Sequence, residues 1–253
     1  MKPTQGLFAA ATLVLVLAAA DSEGAAVAPW PPVLGARAAF SAEVSAAVER
    51  VWDQPTLSRT VSGPTARVPI QLYTAFIDAP DVTAAAARFR RVASYHIQPL
   101  GGDRYRADDG DGARGFSHVL RRDGRRRVIL SRGEHTGPIL GTISGSALTV
   151  LDLATDGDLV QPTLTAYVRI DDGIAASLAQ LFIPRFGFLA DRKLAEGLHV
   201  TKAVAEWAVD PSGGFCEWLV REPLADDSRA RVMAAVPACT RYSASDRRTV
   251  PQP

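Results

Sequence analysis

The sequence predicts an α+β fold in which an antiparallel meander of about six strands is gripped by one long C-terminal helix. Three observations predict it. Turn-forming clusters at residues 101–103, 109–112, 123–124, 133 and 156–157 cut the middle of the chain into segments too short for helices. Residues 160–170 then alternate: Val160, Pro162, Leu164, Ala166, Val168 and Ile170 share one face, while Gln161, Thr163, Thr165 and Arg169 share the other. Finally, Ile174, Leu178, Phe182, Leu189, Leu194, Leu198, Val204 and Trp207 recur mostly at helical spacing over residues 171–211. They form one stripe on a helix of about ten turns, which needs a sheet to cover it.

With 253 residues and 47% hydrophobic composition, the chain can bury a sizeable core in one domain. Its 28 Lys and Arg nearly balance 27 Asp and Glu, so no global field draws it to nucleic acid or to an anionic surface. Arg121, Arg122, Arg125, Arg126 and Arg127 are the local exception. At the N-terminus Lys2 precedes an apolar run at 7–20, and Ala-x-Ala patterns end at Ala20 and Ala28. This predicts a secretory signal peptide over residues 1–28 and a secreted or periplasmic location. The run is shorter than the ~20 residues of a spanning helix, which leaves an uncleaved membrane anchor as the alternative. Export puts Cys216 and Cys239 in an oxidising space, where a disulfide between them would contribute roughly 3 kcal/mol.

Taken in order, residues 29–65 read as a mobile Pro-rich linker followed by a short helix, with Ser41 as its N-cap and Pro55 beyond its end. Residues 67–80 read as a strand, because Val68, Ile70 and Leu72 alternate with polar or proline positions. Asp78 or Asp81 is then expected to cap an alanine-rich helix ending near Arg91. Asp123-Gly124 is the strongest hairpin signal; a two-residue turn there sets Val119 opposite Val128, Ser117 opposite Leu130 and His118 opposite Ile129. Gly141 and Gly145 read as bends that let the sheet curl. Pro184, with Gly187 behind it, predicts a kink or break in the long helix. Residues 212–242 form a C-terminal extension with two short helices, and the polar stretch 243–253 reads as a disordered tail.

The segment YTAFIDAPDVTAAAARF at residues 73–89 resembles the first strand and helix of START-like (SRPBCC, polyketide cyclase and lipid-transfer) domains. The order of elements over residues 66–211 is similar to the helix-grip fold of that superfamily. The resemblance implies a curved antiparallel sheet wrapped around the C-terminal helix, with a cavity between them for a lipid or other apolar molecule. Carried onto this chain, the cavity would be lined by Phe116, Ile129, Leu164 and Val168 from strands and by Phe182, Phe186 and Leu189 from the helix. No superfamily-wide catalytic motif exists to be matched.

The residues that could carry chemistry are few. His118 and His135 are the weak candidates for a general base, if either faces a cavity. Glu134-His135 lacks HExxH spacing, the aspartates at 108–111 lack the later ligands of a calcium loop, and no Cys/His pattern suggests a metal or other cofactor. Ser144 lies in no G-x-S-x-G pattern. The five arginines at 121–127 offer a peripheral contact with anionic lipid, worth at most ~1 kcal/mol each. Export and the lack of interleaved aromatics speak against nucleic acid. The sequence therefore leads to an exported protein that sequesters or shuttles an apolar molecule, with two alternatives: a cyclase- or hydrolase-like enzyme, or a non-catalytic envelope protein that binds another protein.

Overall fold

The computed structural model describes residues 29–137, 141–171, 173–211 and 214–239, and within 173–190 it describes the backbone alone. The Ser41 hydroxyl accepts the Val44 N–H at 3.3 Å and opens α1 (Ala42–Asp53). Next come β1 (Leu57–Ser62), the short β2 (Ala66–Arg67), α2 (Ile70–Asp78) and α3 (Pro80–Phe89). Six strands follow: β3 (His96–Gly101), β4 (Arg104–Asp108), β5 (Ala113–Arg122), β6 (Arg126–Gly137), β7 (Gly141–Asp156) and β8 (Leu159–Ile170). The chain closes with α4 (Gly173–Val209), α5 (Phe215–Arg221) and α6 (Asp226–Ala235).

All strand pairs are antiparallel, and the sheet order is β1-β8-β7-β6-β5-β4-β3, with β2 also on β8. The fold is the α+β helix-grip arrangement, a curved antiparallel sheet with a long C-terminal helix. Alternation along each strand separates two cores. On the inner face Leu151, Leu153 and Val160 pack with Phe76, Val82, Leu198, Val204 and Trp207 from α2, α3 and α4. On the outer face Val128, Leu148 and Val150 pack with Val48 and Val51 of α1.

The C-terminal extension belongs to the inner core. Phe215 and Trp218 of α5 meet Trp207 at ring-centroid distances of 5.0 and 5.4 Å, and Phe76 lies 5.6 Å from Phe215. A disulfide joins Cys216 to Cys239, with the two Cα atoms 5.1 Å apart, and so ties the end of α6 back to α5.

Several expectations are corrected. Residues 70–78 are helical, not a strand, because the deeply buried Val68, Leu72, Phe76 and Ala79 recur at helical spacing and Pro69 sits just before the first helical residue, where its missing N–H costs nothing. Both halves of residues 73–89 are therefore helix, and the sheet's first strand is β1, upstream of residue 66. Neither aspartate caps α3: Ala79 holds the N-cap position, Asp78 ends α2 and Asp81 lies inside the helix. The described part of the linker is packed onto the outer core, where Leu34 is buried, Trp30 lies 5.7 Å from Phe40, and the Trp52 indole N–H donates to the Pro29 carbonyl at 2.8 Å. Gly133 is mid-strand in β6.

The hairpin register also differs. Arg122 pairs with Arg127 and Arg121 with Val128; a bulge at Leu120 then sets Val119 against Ile129 and His118 against Leu130. The Asp123 side chain accepts the N–H groups of Arg125 and Arg126, which moves the turn one residue on, to Gly124-Arg125. Helix α4 runs without a break through Pro184. The signal-peptide segment 1–28 and the tail 243–253 lie outside the described residues.

Candidate functional site

The register sorts the inner face into rows that run across the strands. One row is Leu151 and Leu164 with Val61, level with Arg127 and Arg122. The next is Val119, Ile129, Thr149 and Ala166; the third is Tyr105, Ser117, Ser131, Ala147 and Val168; the fourth is Ala107, Gly115, Gly133, Gly145 and Ile170. Along β5, β6 and β7 side-chain volume falls steadily from the first row to the fourth.

The fourth row is glycine for a steric reason. A Cβ on Gly115 would stand 2.4 Å from the Arg132 carbonyl oxygen, and one on Gly133 would stand 2.6 Å from that of Arg114. Adjacent strands approach here more closely than any side chain permits, which lets the sheet curl. Above these small residues lies a cavity of about 480 Å³, bordered by Ala107, Ser117, Ser131, Ala147, Val168 and Ile170. Its size falls within the usual range for small-molecule sites. A smaller space of about 230 Å³ remains at the packed end, among Phe76, Tyr95, Ile97, Leu151, Leu164 and Leu198.

Charge gathers at the cavity's rim. Asp109 borders the cavity, accepts the N–H groups of Asp111 and Ala113 at 2.7 and 2.9 Å, and lies 3.4 Å from the Lys193 ammonium of α4. Partial burial pushes the Asp109 carboxyl up, but those two N–H groups and Lys193 more than offset it and hold its pKa below the ordinary carboxylate value. Lys193 also approaches Glu196 at 3.3 Å, and Glu196 in turn bonds the Tyr95 phenol. Burial first, then that bond to Glu196, pushes the Tyr95 phenol well above its ordinary pKa. Lys193 thus links α4 to the β4–β5 turn beside the cavity.

The candidate cavity residues are distributed as follows. Val168 borders the larger space and Leu164 the smaller, and Ile129 stands on the inner face between their rows. Phe116 borders the larger space, but its row consists of Arg106, Arg132, Ser146 and Arg169. Arg169 reaches the Gln54 carbonyl at the end of α1, so that row belongs to the outer face. The side chains of Phe182, Phe186 and Leu189 lie outside the described residues.

The histidines do not converge. His118 pairs with Leu130 on the outer face, whereas His135 borders the cavity from the inner face. Gly115, Gly133, Ser117, Ser131 and Ala147 were not among the expected cavity residues, because small residues at alternate positions carry no cavity signal until the register aligns them.

The arginine cluster is not a free cationic surface. Arg127, only 5% exposed, forms a two-pronged pair with Asp78, with both contacts at 2.7 Å. Arg122 reaches the same carboxylate at 3.0 Å and also pairs with Asp103. Arg126 pairs with Asp152, and Arg121 donates to the Val33 carbonyl at 2.9 Å. Among the described residues Arg125 alone of the five has no side-chain partner. Four of the five arginines expected to face anionic lipid thus have partners within the chain, and Arg127 is buried.

No family model matches the chain. No curated protein matches it either. Among solved structures it is similar to a conserved protein from Geobacillus kaustophilus, at 17% identity over 59% of this chain and 96% of that one, with a TM-score of 0.44. An uncharacterised protein from Rhizobium leguminosarum shares 14% identity over 59% of this chain and 94% of its own, with a TM-score of 0.41. Ara h 8.0201 shares 13% over 60% and 97%, with a TM-score of 0.39. At these identities the likeness carries no ligand over to this chain.

Proposed function

We propose that the protein is an exported, START-like binding protein that sequesters or shuttles a lipid or other apolar small molecule in the cavity above Gly115, Gly133 and Gly145. The observation that carries this reading is the cavity itself: about 480 Å³ over a floor of glycine, serine and alanine, beside a core that leaves about 230 Å³. Burial supplies the affinity, at ~0.8 kcal/mol for each methylene removed from water. Ser117, Ser131, Asp109 and His135 give the few polar groups that would orient one end of the guest. Export is supported by the apolar run at 7–20 and by the Cys216–Cys239 disulfide, which suits an oxidising compartment.

The test is titration of the purified protein with a neutral apolar fluorophore, N-phenyl-1-naphthylamine, together with native mass spectrometry for molecules that copurify. Ala147 points into the cavity, and Ala147→Leu is expected to weaken the probe about tenfold, as loss of most of the buried contact requires. Failure of the wild type to bind the probe, or equal binding by Ala147→Leu, would overturn the proposal.

A further inference from the structure

We propose a second ligand site, on the outer face of the sheet, that takes a small aromatic anion such as an aromatic carboxylate. Helix α1 and the segment before it cover the outer face over Val128, Leu148 and Val150, with Leu120, Leu130 and Tyr167 at the edge of that cluster. Beyond it the row Arg106, Phe116, Arg132 crosses β4, β5 and β6 uncovered. Phe116 is 58% exposed, an unusual state for a large aromatic side chain in the middle of a sheet.

Its two cross-strand neighbours are cations with nothing to do. Among the described residues neither the Arg106 nor the Arg132 side chain has an ion-pair or hydrogen-bond partner. Neither covers the Phe116 ring, since the cation–π contact among the described residues is that of Arg90 over Trp207, elsewhere in the molecule. The third arginine of the patch, Arg114, is spent on Glu134 at 2.7 Å, so each of these two cancels the other's charge. What remains is a groove of about 540 Å³, bordered by Arg106, Arg114, Phe116, Arg132, Glu134 and Ser144, with two uncompensated positive charges.

The spacing selects the guest. Neighbouring strands stand about 4.8 Å apart, so the two guanidinium stems are separated by roughly 10 Å with the phenyl ring between them. A carboxylate forked onto one guanidinium can lay an attached ring on Phe116, while the second arginine adds attraction from the far side. A neutral ring of the same size would leave the charges unmatched. This site and the inner cavity lie on opposite faces of the sheet and share Phe116 as a bordering residue, so Ala147, which borders the inner cavity and not the groove, and Arg106, which borders the groove and not the cavity, tell them apart.

The experiment is calorimetric titration of the full chain with 2-naphthoate, with 2-naphthamide as its neutral counterpart. Wild type should bind naphthoate saturably, and Arg106→Gln with Arg132→Gln should weaken it about tenfold, the loss expected for a charge-assisted fork. Raising salt to about 0.5 M should weaken it too. Phe116→Ser should weaken both compounds, and Ala147→Leu should leave naphthoate unchanged. No saturable binding up to low-millimolar naphthoate overturns the proposal, as does loss of binding in Ala147→Leu with the arginine variant unaffected. If the same arginines hold the protein to phosphatidylglycerol vesicles while naphthoate fails to bind, the patch is a membrane contact and the proposal is wrong.

Discussion

The two ends of the sheet's inner face are made by the same strands and differ in what they enclose. At one end β7 and β8 present Leu151, Leu153 and Leu164 to α2, α3 and α4, and about 230 Å³ is left open. At the other end the same two strands present Gly145, Ala147 and Val168, and about 480 Å³ remains. Alternation is identical at both ends. Side-chain volume, not topology, decides which end is core and which is cavity, and substitutions should feel that difference.

The largest expected effect is at the packed end. Asp78 neutralises the buried Arg127 guanidinium and also meets Arg122, while its backbone carbonyl accepts from Arg231 and from the Tyr105 hydroxyl. Asp78→Ala strands a buried cation, and urea unfolding should show a loss of about 3–5 kcal/mol. Replacing both cysteines with serine comes next. The disulfide closes a sequence separation of 23 residues, so its loss should cost roughly 3 kcal/mol and loosen α5 and α6 from the Trp207 cluster, readable as a change in tryptophan fluorescence.

A matched pair of substitutions sharpens the comparison at smaller scale. Ala86 is fully buried in α3, and Ala86→Leu should cost about 1–3 kcal/mol by overpacking. Ala147→Leu adds the same atoms over the cavity floor and should change stability by less than about 0.5 kcal/mol. Equal costs in thermal unfolding would mean that the two ends are packed alike and would remove the distinction.

The architecture was legible where alternation runs long. β8 was readable to the residue, because eleven positions from Val160 to Ile170 keep one period with a turn on either side. Residues 70–78 were not, because Val68, Ile70 and Leu72 fit period two while the burial of Tyr73, Phe76 and Ala79 obeys the helical period, and only tertiary packing chooses between them. β1 escaped notice for a related reason: in LSRTVS the apolar positions are only Leu57 and Val61. Of the cavity floor only Gly145 was read as a bend of the curling sheet, and its alignment with the other glycines could not be seen. Gly115, Gly133 and Gly145 lie 18 and 12 residues apart in sequence, and only hairpin registers, one shifted by the Leu120 bulge, bring them into line. Likewise a run of arginines looks like a surface until Asp78, forty-four residues before Arg122, is seen to collect two of them.

The smallest expected effect tests how the rim beside the open end is held. Asp109 has a folded-state pKa below its ordinary value, so its contribution to stability is present above the unfolded carboxylate pKa of about 3.9 and is lost as pH falls through the folded value. Lys193 supplies part of that depression and also approaches Asp111 at 3.5 Å, drawing α4 toward the β4–β5 turn. Lys193→Met should therefore move the Asp109 pKa back up toward the ordinary range, as followed by carboxyl-carbon NMR titration, and shift the onset of acid destabilisation to higher pH. Because the ammonium is about half exposed, solvent and salt screen the pair, so the change should shrink further at high ionic strength. An Asp109 titration identical in the variant would assign the depression to the Asp111 and Ala113 N–H groups alone. The β4–β5 turn would then hold its own carboxylate, and the link from α4 would contribute nothing to the rim.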